Sequence, residues 1–193
     1  MDGILYLILG AAMIATLVWM RSRYAGFLAQ RPEDYADPGA PQFDLRTHLN
    51  GPIDCEGVIY GPTGRVTSRF TARFECDWNG NQGQMIEHFR YDDGSTQDRR
   101  WDLVLGNDGR IKATAPDVVG DGAGVQAGPT VQLKYRIRLP DSAGGHVLDT
   151  VDWMYLAPNG TIMNRSQFRK FGVQVAELVA TMRPAQDEMK KAA

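Results

Sequence analysis

His146 to Phe168 reads HVLDTVDWMYLAPNGTIMNRSQF, two runs rich in β-branched and aromatic residues on either side of Ala157-Pro158-Asn159-Gly160. Asn-Gly between such runs is the strongest short-range mark of a β-hairpin. The stretch predicts one antiparallel strand pair, and the same pattern recurs on both sides of it. In Arg65 to Trp78, residues Phe70, Ala72, Phe74, Cys76 and Trp78 fall on one face and Thr71, Arg73, Glu75 and Asp77 on the other. That period of two means a strand with one buried and one wet face. Thr130 to Leu139 repeats it, with Val131, Leu133, Tyr135, Ile137 and Leu139 opposing Gln132, Lys134, Arg136 and Arg138.

Further strands are expected over Ile53 to Tyr60, Gln84 to Tyr91, Thr96 to Leu105, Arg110 to Ala115 and Gly172 to Met182. Turn residues separate them: Gly61-Pro62-Thr63-Gly64, Asn79-Gly80-Asn81, Asp92-Asp93-Gly94 and Asn107-Asp108-Gly109. The glycine-rich passage Gly120 to Gly128 continues the series, and within it Gly120-Asp121-Gly122-Ala123-Gly124 reads as a flexible turn or bulge; no G-K-[ST] follows to make it a phosphate loop. The connections are too short for parallel crossovers, so the sheet is antiparallel. About eight to ten such strands leave edges unpaired unless the sheet closes, which predicts an all-β, up-and-down barrel over residues 43–182. A two-layer sandwich is the alternative, since alternation alone does not separate the two.

The N-terminus is of another kind. Gly3 to Met20 carries no charge, and at about 1.5 Å per residue it reaches roughly the thickness of a bilayer core. Residues 1–23 therefore read as one transmembrane anchor in the inner, cytoplasmic membrane, with Trp19 at an interface and Arg21 and Arg23 fixing its end. No basic region precedes the apolar run, as a secretory signal would require. Residues 24–42, with Pro32, Pro38 and Pro41, read as an extended linker that stands the body off the membrane, and 183–193 as a polar tail.

With 21 basic against 23 acidic residues, nothing favours nucleic acid as a partner. Cys55 and Cys76 form no C-x-x-C pair and have no histidine at zinc-ligand spacing, so two buried thiols are expected rather than a metal site, with a disulfide left open. Closure of the sheet would place Phe74, Trp78, Trp101, Tyr135, Trp153 and Tyr155 around an apolar lumen, with His88 and Arg165 as polar lining. Glu87 and His88 are neighbours on a strand and point to opposite faces, so only one of them can reach that lumen. Arg165 either faces inward to hold an anionic group or closes the barrel through a salt bridge. Asp92, Asp93 and Asp98 at a turn serve the turn itself, and no calcium loop surrounds them. No cofactor is implied.

Ten separated motifs carry a resemblance to a known family: Phe43-Asp44-Leu45, Asn50-Gly51-Pro52, Gly57, Glu87-His88-Phe89, Tyr91-Asp92-Asp93-Gly94, Trp101, Asp117-Val118-Val119-Gly120, Asp152-Trp153-Met154-Tyr155-Leu156, Asn164-Arg165-Ser166 and Lys170-Phe171-Gly172. In that order, from Phe43 to Met182, the chain resembles the bacterial domain of unknown function 3833. The resemblance implies a calycin-like, lipocalin-like barrel attached to a membrane, and an accessory role beside enzymes that modify membrane lipids or fatty acids. It implies a periplasmic body, whereas Arg21 and Arg23 imply a cytoplasmic one. The reading that follows is a barrel binding a lipid, fatty acid or other hydrophobic molecule. A scaffold tethering a lipid-modifying enzyme, and an enzyme using His88 with nearby carboxylates, are the alternatives.

Overall fold

The computed structural model describes residues 2–185, so most of the expected polar tail lies outside the described residues. Ten strands run Gly51–Tyr60 (β1), Val66–Asn79 (β2), Gln82–Tyr91 (β3), Thr96–Leu105 (β4), Arg110–Thr114 (β5), Gly122–Ala127 (β6), Thr130–Arg138 (β7), Val147–Leu156 (β8), Ile162–Lys170 (β9) and Val173–Pro184 (β10). Each pairs antiparallel with its neighbour in sequence, and β1 closes on β10 from Ile53↔Pro184 to Tyr60↔Glu177. The sheet is a closed barrel, not a sandwich. Closure leaves no edge strand to be capped, which is how a meander of this length avoids pairing with other chains.

Alternation holds where it was clearest. Phe70, Ala72, Phe74 and Cys76 on β2 and Val131, Leu133, Tyr135 and Ile137 on β7 are all buried in one core. The Pro158-Asn159-Gly160 tip joins β8 to β9, with Gly160 at φ 81° closing a tight turn.

The stretch Gly120 to Gly124 departs from the expected turn or bulge, because β6, which starts at Gly122, is a regular strand paired with both β5 and β7. Its glycines make room instead of a bend: a Cβ on Gly124 would lie 2.4 Å from the Gln132 carbonyl and the Leu133 side chain. A strand glycine of this sort marks close packing of a neighbour, which composition alone does not separate from a loop.

One end of the barrel is plugged. Asp44 caps the four-residue helix α2 (Leu45–His48) by accepting from the Arg46 N–H, and Phe43, Leu45 and Leu49 are buried beneath it. The Leu45 N–H donates to Gln126 Oε1 at 2.9 Å and the Trp78 indole donates to the Leu49 carbonyl at 2.8 Å. These bonds tie the plug to β6 and β2.

Residues 27–43 pack against the outer wall, so the expected extended spacer is corrected to a strap. Phe27 is buried, the Tyr35 ring lies 5.5 Å from Trp153, and the Tyr155 hydroxyl donates to Gln30 Oε1 at 2.6 Å. The Phe43 N–H then donates to the Gly128 carbonyl. Gly128 lies where a Cβ would sit 2.0 Å from the Tyr35 carbonyl oxygen, at φ 52°, so only glycine admits the strap. Aromatic rings on the strap cover aromatic rings on the wall, and that apolar burial outweighs the preference of a proline-rich segment for solvent.

Helix α1 (Asp2–Tyr24) is exposed along its length. Its stretch Gly3–Tyr24, with an 18-residue window of mean hydropathy 2.1, is long and apolar enough to cross a membrane.

Candidate functional site

Where β3, β4, β8 and β9 face inward, the apolar lining is interrupted by ionisable and polar groups. Glu87 on β3 stands directly across from Arg99 on β4, with an Arg99 Nη1 to Glu87 Oε2 distance of 3.4 Å. Arg99 also grips Asp117 in a two-pronged pair, Nε to Oδ2 at 2.7 Å and Nη2 to Oδ1 at 3.2 Å. Asp117 sits in the β5–β6 connection, which is held over this end of the barrel by Arg138 N–H donating to the Asp117 carbonyl at 2.7 Å. The Arg99 guanidinium lies 5.1 Å from the centre of the Trp101 ring, and that ring meets Tyr135 edge-on at 5.1 Å. On the far wall Asp152 accepts from the Ser166 hydroxyl at 2.7 Å and from the Asn164 amide.

Burial sets the electrostatics. It pushes the Glu87 carboxyl up to about 7, against the pull of Arg99 and with help from Asp152 and Asp117. Asp152 is also raised by burial, although Ser166 and Asn164 stabilise its charged form. Tyr135 is raised for the same reason. Burial opposes the charge on Arg99, but Glu87 and Asp117 outweigh it and the guanidinium stays charged.

Two spaces meet at this cluster. A cavity of about 110 Å³ lies inside the barrel, bounded by Leu45 and Leu49 of the plug, by Phe74, Met85, Leu103, Met154 and Met182, and by the polar groups above. Around the mouth, opposite the plug, a space of about 580 Å³ is lined by Ile59, Tyr91, Leu139, Leu148 and Ala176 among others. The two share Phe70, Phe89, Arg99, Ile137, Phe168 and Leu178. The mouth therefore leads through an apolar vestibule to a polar waist, with an apolar floor beyond it.

Of the residues expected to line a lumen, Phe74, Trp101 and Tyr135 do so. Trp78 lies at the plugged end, held by its bond to Leu49. The other four are corrected to the outer face. Asp152 and Met154 point inward on β8, so Trp153 and Tyr155 point out, and the strap leaves Trp153 0% exposed. Arg165 pairs with Glu177 at 2.9 Å and stacks over Phe27, a salt bridge as in the second of its two readings, set between β9 and β10 rather than at the β1–β10 seam. His88 is 51% exposed and contacts Asp98 at 2.8 Å, turned away from the interior carboxylates. The acid–base arrangement expected around it is absent from the barrel interior.

The residues missed were Glu87, Arg99, Asp152, Asn164, Ser166 and Asp117. Five of them carried a signal in the core-facing register of their strands: Glu87 is the polar residue between Met85 and Phe89, Arg99 and Asp152 each precede an apolar residue on the same face, and Asn164 and Ser166 lie together between Ile162 and Phe168. A charge in the core-facing register of a strand is costly unless paired, and so marks a buried cluster. Asp117, in a connection, carried none.

Cys55 and Cys76 are free and buried, set four residues apart in register by the pairs Cys55↔Ala72 and Gly51↔Cys76. Among the described residues no group of His, Cys, Asp and Glu is placed to hold a metal ion.

The family described as protein of unknown function (DUF3833) matches residues 22–184. No curated protein matches the chain. Among solved structures, the S-type phycobiliprotein lyase CPES of Guillardia theta is similar over 72% of this chain and 89% of its own, at TM-score 0.54 and 10% identity. Rv2717c of M. tuberculosis is similar over 74% and 97%, at 0.54 and 15%. A protein of unknown function from the DUF3598 family of Nostoc punctiforme covers 75% of this chain with 50% of its own length, at 0.51 and 8%. At such identities the likeness is one of fold, a lipocalin-like barrel.

Proposed function

We propose that this chain, which belongs to the DUF3833 family, is a membrane-held carrier whose barrel takes one hydrophobic small molecule through its mouth. The observation that carries the reading is the vestibule of about 580 Å³ ending on a buried polar cluster. Its size falls in the roughly 300–1,000 Å³ range of small-molecule sites, and a mostly apolar wall with a few convergent polar groups is their usual make. Helix α1, exposed and apolar, serves as the anchor.

The polar cluster narrows the ligand class. Glu87, Asp117 and Asp152 face a single Arg99, whose donors already reach two carboxylates. A ligand carboxylate would enter an interior with more acid than base, where the one buried guanidinium is already shared between Glu87 and Asp117. A hydroxyl, amide or ammonium group instead finds free acceptor capacity. The favoured ligand is thus a lipid-like molecule with a hydrogen-bond donor near its polar end, rather than a free fatty acid.

Fold likeness does not decide function, since one barrel serves many. Titration of the full chain in detergent micelles with dodecanol, dodecylamine and dodecanoate, followed through Trp101 fluorescence with Trp101→Phe as control, tests the reading. Saturable binding of the alcohol or amine, tighter than the acid, is expected. Binding of none of the three would remove the carrier reading, and tightest binding of dodecanoate would remove the ligand class alone.

A further inference from the structure

The two ends of the barrel differ in what they show to solvent. At the plugged end the hairpin tips are Asn79-Gly80-Asn81, Asn107-Asp108-Gly109, Gly128-Pro129 and Pro158-Asn159-Gly160, without a large apolar side chain among them. At the mouth, β9 turns into β10 through Phe171 and Gly172. Phe171 is 92% exposed and Val173 beside it 65%.

Phe171 also holds a positive φ of 52°, unique among the described non-glycine residues. Such a conformation costs a bulky residue on the order of 1–3 kcal/mol, and asparagine or glycine would serve the turn at less cost. Backbone preference therefore does not account for a phenylalanine there. Two cations collar it: the Lys170 ammonium lies 5.7 Å from the ring centre, and Arg169 donates to the Gly172 carbonyl at 2.8 Å. An exposed aromatic flanked by Lys and Arg is the composition of a membrane–water interface contact.

Chain connectivity supplies the surface. α1 ends at Tyr24, and Phe27 already lies against β9, its ring 4.9 Å from the Arg165 guanidinium carbon. Three residues span at most about 10 Å, so a helix lodged in a bilayer holds this wall of the barrel close to that bilayer. From Phe27 the strap runs away from the mouth, past Trp153 and Tyr155 to Gly128 at the plugged end. The anchor thus leaves the barrel about midway along β9, the strand that ends in the Phe171 tip, and from there the strap leads only toward the plug.

We infer that the β9–β10 tip, Phe171 with Val173, rests in the headgroup region of the bilayer that α1 enters, so that the mouth faces lipid and the plug faces water. Elsewhere on the rim Asp92 is paired with Arg69 and Asp121 with Lys112, which leaves Asp93 and Asp141 as the acids an anionic headgroup layer repels. The barrel accordingly leans on its β9–β10 side. The vestibule then opens at the surface from which a lipid-like ligand departs, with no aqueous crossing.

The inference rests on α1 acting as the anchor proposed above, and its test separates the two. The full chain is reconstituted in phosphatidylethanolamine–phosphatidylglycerol vesicles with a nitroxide at Phe171→Cys or at Asn159→Cys. Both sites are exposed, Cys55 and Cys76 are buried, and the unsubstituted chain is the labelling control. Collision of the label with oxygen, which partitions into lipid, is compared with collision with a water-soluble nickel chelate. The oxygen-to-nickel ratio is expected to be severalfold higher at 171 than at 159. Equal ratios, or a higher one at 159, in chains that float with the vesicles overturn the orientation and leave the carrier reading intact. Chains that do not float overturn the anchor and this inference with it, while binding in micelles still reports on the barrel.

Discussion

Replacing Glu87 by glutamine removes a buried carboxyl whose proton the fold binds more tightly than the unfolded chain does. Its value rises from 4.5 to about 7, chiefly by burial. The folded state holds the proton between those two values while the unfolded state has released it, so stability falls as pH rises through this window and is fully present only below it. Integrating the difference in bound protons between about pH 5 and about pH 8 gives a loss of about 2–3 kcal/mol from this one group. In Glu87→Gln that loss is absent. Asp152, also raised, works in the same direction but is common to both proteins and cancels to first order in the comparison. Asp44, Asp92, Asp93 and Asp102 are lowered by their partners, so their contributions vanish only as pH falls below the ordinary carboxylate range, outside the window. Urea denaturation of both proteins in micelles, followed by near-ultraviolet circular dichroism, reads the effect. The two should be nearly equal in stability at about pH 5, and the variant should be more stable by about 2–3 kcal/mol at about pH 8. A stability difference that does not change with pH, or a variant weaker at the higher pH, would refute a buried, burial-shifted Glu87.

Arg99→Met leaves Glu87 and Asp117 without their cation, and should cost about 3–5 kcal/mol near neutral pH in the same denaturation assay. Combined with Glu87→Gln it should cost less than the sum, by about 1 kcal/mol or more; simple additivity would argue that the two side chains do not interact. Gly128→Val drives a Cβ into the Tyr35 carbonyl, so the strap should lift, chymotrypsin should cut faster after Tyr35, and stability should drop by about 1–3 kcal/mol. Unchanged cleavage would mean that residues 27–43 are not docked. His88→Ala removes only an exposed contact to Asp98 and should alter stability by no more than about 0.5 kcal/mol, with ligand affinity unchanged; a large loss of affinity would return His88 to the lumen.

The barrel was legible in the sequence because period-two alternation and short turn signals are local, and closure follows from counting strands that would otherwise be edges. Trp153 shows where such reading ends. Aromatic bulk suggests an interior, but on β8 the register puts Asp152 inside and Trp153 outside, and Trp153 is buried only because the strap crosses it. Strap docking depends on Gly128, far away in sequence, and composition does not reveal such a contact. Glu87 and His88 illustrate the same limit: one of the pair had to face inward, and the register set by Met85 and Phe89 chooses the acid. The mouth cluster needs Asp117 from a connection, and nothing in its local sequence says which strand it crosses.

The central claim is that the space running from the mouth to the polar waist receives a ligand. The most direct test is a crystal structure of the barrel-bearing chain soaked with 12-bromododecanol, read by bromine anomalous scattering. The account predicts a single strong peak within the vestibule or the cavity behind it, with the hydroxyl within hydrogen-bonding distance of Glu87, Asp117 or Asp152. A fully occupied ligand lying only on the outer wall, with the interior unchanged, would contradict it.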